Sequence, residues 1–262
     1  MEQVCARRLG VKGWVCLAGG ITAALGSESR TSLAAEPASA ATPNATQTKP
    51  LTVIDLAATA DLPGVVIFPA RVSGSRPITV LLHGMCGEPI YTCSHFAEQV
   101  TQSANLICPR ASQRCAGGGA SWPQTGFEQA VEAAVTRAKS ALTEPADDTQ
   151  GRTLIGYSLG AYRALEIAQS GAGKYPWLML IGAKVSLNPK LLADNGVQRV
   201  LLSAGGWDMM HDPMQHEAAR ALGVGVSARF LDLGPVGHAF SPTFAHYLPA
   251  ALAWLSYGSS GT

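Results

Sequence analysis

The chain has 262 residues, 47% of them hydrophobic and only 14% charged, with a formal net charge of +1. That length is enough for one α/β domain with a substantial core plus an extension. No long basic or acidic block is present, so there is no electrostatic case for a nucleic-acid partner.

The first forty residues do not read as part of the core. Arg7, Arg8 and Lys12 precede an apolar stretch from Trp14 to Leu25, and an Ala-, Ser-, Thr- and Pro-rich tail carries Ala38-Ser39-Ala40. This is the layout of an export signal with a small-residue cleavage site. Residues 1–40 are therefore expected to be signal and the start of a spacer, 41–50 flexible spacer, and 51–262 the folded domain of a periplasmic or secreted protein. The apolar run is short and broken by Gly19 and Gly20, so no stable membrane insertion is expected after cleavage. A retained anchor is the alternative. Asn44-Ala45-Thr46 is a glycosylation sequon within the spacer.

In chain order, Val65 to Phe68 and Ile78 to Leu82 read as strands, the second running into the glycine-bearing loop His83-Gly84-Met85-Cys86-Gly87. A helix is expected from Ser94 to about Ser103, a strand from Asn105 to Cys108, and an irregular loop over Ala116 to Trp122. Gly126 to Leu142 is the clearest helix, with Phe127, Ala130, Val131, Ala134, Val135 and Ala138 forming one apolar face. Strands follow at Arg152 to Ile155, Leu178 to Ile181, Arg199 to Ser203 and Ala228 to Leu231. The helices between and after them are Ala161 to Gln169, Met214 to Leu222 and Thr243 to Leu255. Strands alternating with helices indicate a mainly parallel sheet covered on both faces.

Between the fourth strand and its helix stands Gly156-Tyr157-Ser158-Leu159-Gly160. A Gly-x-Ser-x-Gly turn between strand and helix can lift a serine hydroxyl clear of the sheet, and the two glycines avoid collisions with neighbouring backbone. A serine nucleophile needs a histidine to take its proton and an acid to orient that histidine. Asp208 and His238 each lie just past the carboxyl end of a predicted strand, in the chain order Ser, Asp, His. Asp212 and Asp232 compete with Asp208. His211, His216 and His246 compete with His238.

With these motifs the chain resembles the α/β-hydrolase-fold esterases of the dienelactone hydrolase and carboxylesterase/phospholipase type. His83-Gly84-Met85 is similar to their oxyanion loop, Gly156 to Gly160 to their elbow, Gly206-Trp207-Asp208 to their acid turn and Gly237-His238 to their histidine turn; the match covers about Val65 to Ser256. The resemblance implies Ser158 as nucleophile, His238 as general base and then acid, Asp208 as its orienting partner, the Met85 and Leu159 amides as oxyanion hole, and no cofactor or metal. His83 is expected to position the oxyanion loop. The short stretch Gly182 to Gln198 leaves little or no room for a cap, which favours small-molecule or polymer-borne esters. Tyr157, Trp122 and Trp207 are candidates for lining the acyl or alcohol pocket. A peptidase, thioesterase or acyltransferase on the same fold stays open, as does a catalytically silent envelope binding protein.

Cysteine usage agrees with export. Cys5 and Cys16 leave with the signal, and Cys86, Cys93, Cys108 and Cys115 remain, an even number that favours disulfides in a secreted chain. Sequence alone permits three pairings. The short loops they bracket favour Cys86 with Cys93 and Cys108 with Cys115, and the gaps are too long for ordinary structural zinc spacing.

Overall fold

The structure is a computed structural model and describes residues 49–170, 173–222 and 226–257. The expected signal, its cleavage site, the sequon and the spacer up to residue 48 lie outside the described residues. Among the described residues no helix is long and apolar enough to cross a membrane.

An antiparallel pair, β1 (Ile54–Leu56) and β2 (Val65–Phe68), opens the domain. Strand and helix then alternate through β3 (Arg76–Leu82), α1 (Pro89–Val100) and β4 (Asn105–Pro109). A small hairpin of β5 (Gln113–Arg114) and β6 (Ala120–Ser121) precedes α2 (Phe127–Ala141) and the short β7 (Ala146–Asp147). The remainder is β8 (Thr153–Tyr157), α3 (Leu159–Ser170), β9 (Trp177–Ile181), α4 (Pro189–Asp194), β10 (Arg199–Ala204), α5 (His211–Leu222), β11 (Ser227–Asp232) and α6 (Phe244–Tyr257). These strands build a nine-stranded sheet in the order β1-β2-β4-β3-β8-β9-β10-β11, with β7 paired to the start of β3. From β4 to β11 every pairing along that order is parallel.

The order explains which helix lies on which face. A right-handed crossover from β3 to β4 moves toward the β1 edge, whereas those from β4 to β8, β8 to β9 and β10 to β11 move the other way, so their helices fall on opposite faces. Residues of α2, α3 and α5 accordingly share one hydrophobic core with Val80, Leu82, Leu154, Leu178, Leu180 and Leu202. Residues of α1 and α6 share the other with Leu81, Ile155, Met179, Ile181 and Leu201. Alternate residues of each strand supply the two cores, as the pleat requires. The crossover direction reverses between β3 and β8, and the carboxyl ends of the strands at such a reversal are where ligands bind open parallel sheets.

Several elements differ from expectation for local reasons. α1 starts at Pro89, not Ser94, because proline is tolerated in a first helical turn, where the N–H has no partner to lose. In the expected plain connection 182–198, Asn188 caps α4 by accepting a 3.1 Å hydrogen bond from the Leu191 amide. The expected irregular loop at Ala116 to Trp122 contains β6, paired to β5.

The cysteine pairing is also corrected: the bridges are Cys86–Cys115 and Cys93–Cys108. Cys93 lies on the buried face of α1 and Cys108 on the side of β4 that faces the same core, so topology brings them together across 15 residues. Cys86 sits in an exposed turn after β3 and cannot reach a side chain buried under α1. Nearness in sequence was a poor guide because the helix carries Cys93 into the core.

Candidate active site

Ser158 sits between β8 and α3 with φ +55°, one of two non-glycine residues in the left-handed region among the described residues, the other being Cys86. The strain is held on both sides by backbone: the Ser158 amide donates to Ile181 O at 2.8 Å, and Ser158 O accepts from the Ala161 amide at 2.9 Å. Cβ atoms at Gly156 and Gly160 would lie 2.4 Å from Gly160 O and 2.2 Å from Leu82 O, so the elbow closes only with glycine at both places.

From the turn after β11, His238 places Nε2 2.9 Å from Ser158 Oγ. Its Nδ1 lies 2.8 Å from Asp208 Oδ2, in the turn after β10. Asp208 is buried, and its Oδ1 accepts a 3.0 Å hydrogen bond from the Met210 amide, which fixes the carboxylate plane. The rival residues are elsewhere. Asp212 pairs with His211 at 2.9 Å, and Asp232, the last residue of β11, accepts from the Gly234 amide at 2.8 Å. His216 and His246 are exposed on α5 and α6.

Tyr157 serves the histidine. Its ring stacks on His238 with centroids 5.2 Å apart, and its hydroxyl donates to His238 O at 2.8 Å. Phe240 packs behind it at 4.8 Å. Burial, and then the Asp208 carboxylate, push the Tyr157 phenol above its ordinary pKa.

The turn after β3 presses against the serine, since a Cβ on Gly84 would lie 3.2 Å from Ser158 Cβ. His83 is fully buried beneath this turn. Its Nε2 accepts from the Ala111 amide at 3.2 Å, which leaves the proton on Nδ1 to be donated to Gly84 O at 2.8 Å. Burial lowers its pKa below the ordinary 6.5 and keeps it neutral. Trp122, a candidate pocket residue, is only 3% exposed; its ring lies tilted against His83, centroids 5.1 Å apart, and donates from Nε1 to His83 O at 2.8 Å. A side chain this buried does not fit the expected pocket role: Trp122 lies under the turn after β3. Trp207, by contrast, is 76% exposed, Met209 two residues on in the same turn is exposed as well, and Met85 stands out from the turn after β3.

Gly182 was not singled out from the sequence. It follows β9 with φ +61°, and a Cβ there would lie 2.9 Å from His238 Cε1 and 3.4 Å from Asp208 Oδ2. A glycine immediately after the strand beside the elbow was the available signal. Among the described residues no cluster of three His, Cys, Asp or Glu side chains could hold a metal ion. A cavity of about 480 Å³ opens at the amino ends of β3, β8 and β9, away from the serine.

No protein-family model and no curated protein matches the chain. Among solved structures it is similar to the fluorophosphonate-binding serine hydrolase F of Staphylococcus aureus, with 14% identity, a TM-score of 0.59 and coverage of 79% of this chain and 98% of that one. The S-formylglutathione hydrolase of the same organism matches with 12% identity, a TM-score of 0.58 and 80% and 98% coverage. Fungal esterases from Rhizomucor miehei match with 14% identity, a TM-score of 0.58 and 80% and 84% coverage. The chain has the α/β-hydrolase fold.

Proposed function

We propose that this chain is an exported serine ester hydrolase acting through an acyl-enzyme. The observation that carries the reading is the continuous relay Asp208–His238–Ser158, with contacts of 2.8 and 2.9 Å, at a strained strand-to-helix elbow. Names such as serine hydrolase and esterase among structural neighbours support it.

In this reading Ser158 Oγ attacks the ester carbonyl as its proton passes to His238 Nε2, while Asp208 holds the Nδ1 proton and stabilises the imidazolium. The tetrahedral oxyanion is held by the amides of Leu159, at the start of α3, and Met85; one such donor is commonly worth about 3–4 kcal/mol. The imidazolium protonates the departing alcohol. His238 then activates the water that hydrolyses the acyl-enzyme.

Between β9 and β10 the connection carries only the short α4, and the His238 side chain is 45% exposed, so the serine is open to solvent. An open site whose neighbouring turns carry the exposed apolar residues Met85, Trp207 and Met209 suits apolar esters that are small or borne on a polymer. The two disulfides support an oxidising compartment and hence export.

The test is turnover of p-nitrophenyl esters of increasing acyl length by oxidised protein, with Ser158→Ala alongside. Loss of all turnover in the variant is expected. Equal rates in the two proteins would remove the reading, and N-terminal sequencing of exported protein tests the signal.

A further inference from the structure

The two disulfides differ in what they hold. Cys93 and Cys108 are both fully buried and tie α1 to the sheet. The other bridge joins an exposed Cys86 to a half-buried Cys115, and Cys86 immediately follows Met85, whose amide the proposed mechanism uses.

The turn that carries Cys86 is anchored to the β5–β6 hairpin at further points. Cys86 itself holds φ +52°, a conformation that a side-chain-bearing residue keeps only under constraint. The Ala120 amide donates to Gly87 O at 3.2 Å, and within the hairpin itself the Cys115 amide donates to Gly119 O at 3.2 Å. Gly119 lies directly under the turn at φ +66°, where a Cβ would fall 2.2 Å from Cys86 O. Within the turn, the Gly87 amide donates to Gly84 O at 3.2 Å, the oxygen that also accepts from His83. The covalent link is therefore the outermost tie of a hairpin clamped onto the loop that presents Met85.

We propose that the Cys86–Cys115 bridge and its hairpin position the Met85 amide for oxyanion binding, so that opening this accessible bridge lowers kcat while the buried bridge preserves the fold. The inference rests on the serine hydrolase reading. The opening step is a dithiol exchange: one thiolate of the reductant attacks a bridge sulfur, giving a mixed disulfide and one cysteine thiolate. The second reductant thiol then displaces the other cysteine, so the bridge gains two electrons and two protons and the reductant leaves as its cyclic disulfide. Exposure directs the attack to Cys86–Cys115 first.

The experiment titrates the full domain with dithiothreitol, traps free thiols with iodoacetamide, maps them by mass spectrometry, and measures kcat and KM on p-nitrophenyl acetate at each point. Alkylation of Cys86 and Cys115 ahead of Cys93 and Cys108 is expected. With it kcat should fall by about tenfold or more at a KM changed less than about threefold, the pattern of a lost transition-state contact. Reoxidation of a parallel, unalkylated sample should restore kcat. Two variants complete the test: Cys86→Ser with Cys115→Ser should reproduce the kcat loss, and Gly119→Ala, which keeps the bridge but pushes on Cys86 O, should lower kcat in the same sense. A folded, bridge-opened protein with kcat within twofold of the oxidised one overturns the proposal, as does simultaneous opening of both bridges. If oxidised protein neither hydrolyses any ester nor takes up a fluorophosphonate at Ser158, the hydrolase reading itself fails.

Discussion

Placing a methyl group on Gly182 is the most direct way to disturb the Asp208–His238 pair without altering either residue. The added Cβ would lie 2.9 Å from His238 Cε1, 3.1 Å from Nδ1 and 3.4 Å from Asp208 Oδ2. Ordinary carbon contacts are about 3.5–4.0 Å, so the imidazole must retreat by roughly half an ångström or more. The backbone cannot yield in its place, because the Gly182 amide donates to Ser203 O at 2.9 Å as an extension of the sheet. Misplacing a catalytic group by about 1 Å can cost about a hundredfold, so Gly182→Ala should lower kcat by about tenfold with little change in KM. The left-handed backbone adds a separate penalty of about 1–2 kcal/mol for any L-residue, a Tm loss of about 2–8 °C in a domain of this size. Gly126 separates the two effects: it precedes α2 at φ +78°, and a Cβ there meets nothing within 4 Å. Gly126→Ala should show a comparable Tm loss with kcat intact. Steady-state kinetics on p-nitrophenyl acetate and thermal melts of both variants make the comparison. A Gly182→Ala kcat within twofold of Gly126→Ala would refute the reasoning.

Tyr157→Phe keeps the stack on His238 but deletes the hydroxyl bond to His238 O; at about 0.5–1.5 kcal/mol for one hydrogen bond, kcat should fall about two- to tenfold, read from Michaelis–Menten curves. Trp207→Ala, at a side chain 76% exposed, should leave Tm within about 2 °C while raising KM for long-chain or aromatic esters, because surface substitutions rarely exceed about 0.5 kcal/mol. His83 should give an acid limb to stability. Its folded pKa lies below the ordinary 6.5, so in the window beneath 6.5 the unfolded chain binds more protons, and stability falls as pH drops through that window. His95, also lowered by burial, acts in the same sense, while His211, raised by its hydrogen bond to Asp212, acts oppositely. NMR titration of the His83 ring alongside melts from pH 8 to 5 checks this, and a His83 that titrates at or above 6.5 would contradict it.

The elements legible in the sequence are those whose patterning is local. α2 shows a helical period, β8 an apolar run ending in the elbow, and the Asp208 and His238 turns follow recognisable strands, so the site's side chains could be named before the fold was known. What stayed hidden depends on partners far along the chain. Cys93 pairs with Cys108 because α1 packs over β4, and neither residue's neighbours say so. Trp122 looked like a pocket aromatic, yet its indole N–H finds His83 O, a buried carbonyl that needs a donor. Gly182 carries no chemistry of its own and becomes visible only when His238 is seen resting on it. The small β5–β6 hairpin is too short for any periodicity, and its existence follows from backbone bonds to the turn after β3.

Strand spacing sets the demands on this site. Adjacent strands lie about 4.8 Å apart, so the turns after β8 and β11, three positions apart in the sheet, start about 14 Å from each other. His238 closes that gap because the chain after β11 folds back over the neighbouring strand ends. The Leu233 amide donates to Ala204 O at 3.0 Å, the Gly206 amide to Gly234 O at 2.8 Å and the Trp207 amide to Val236 O at 3.0 Å, so the acid turn and the histidine turn are laced together by main chain. The Gly182 amide on Ser203 O and the Ser158 amide on Ile181 O carry the same lacing back to the elbow. Serine, histidine and acid are thus spaced by an extension of the parallel ladder, and within that frame the Tyr157 stack and the open space over Gly182 settle where the imidazole lies. Substitutions that intrude on that backbone lacing, such as Gly205→Ala, whose Cβ would fall 2.0 Å from Val236 O and 2.7 Å from Gly237 O, should therefore cost more activity than truncation of the exposed side chains around the serine.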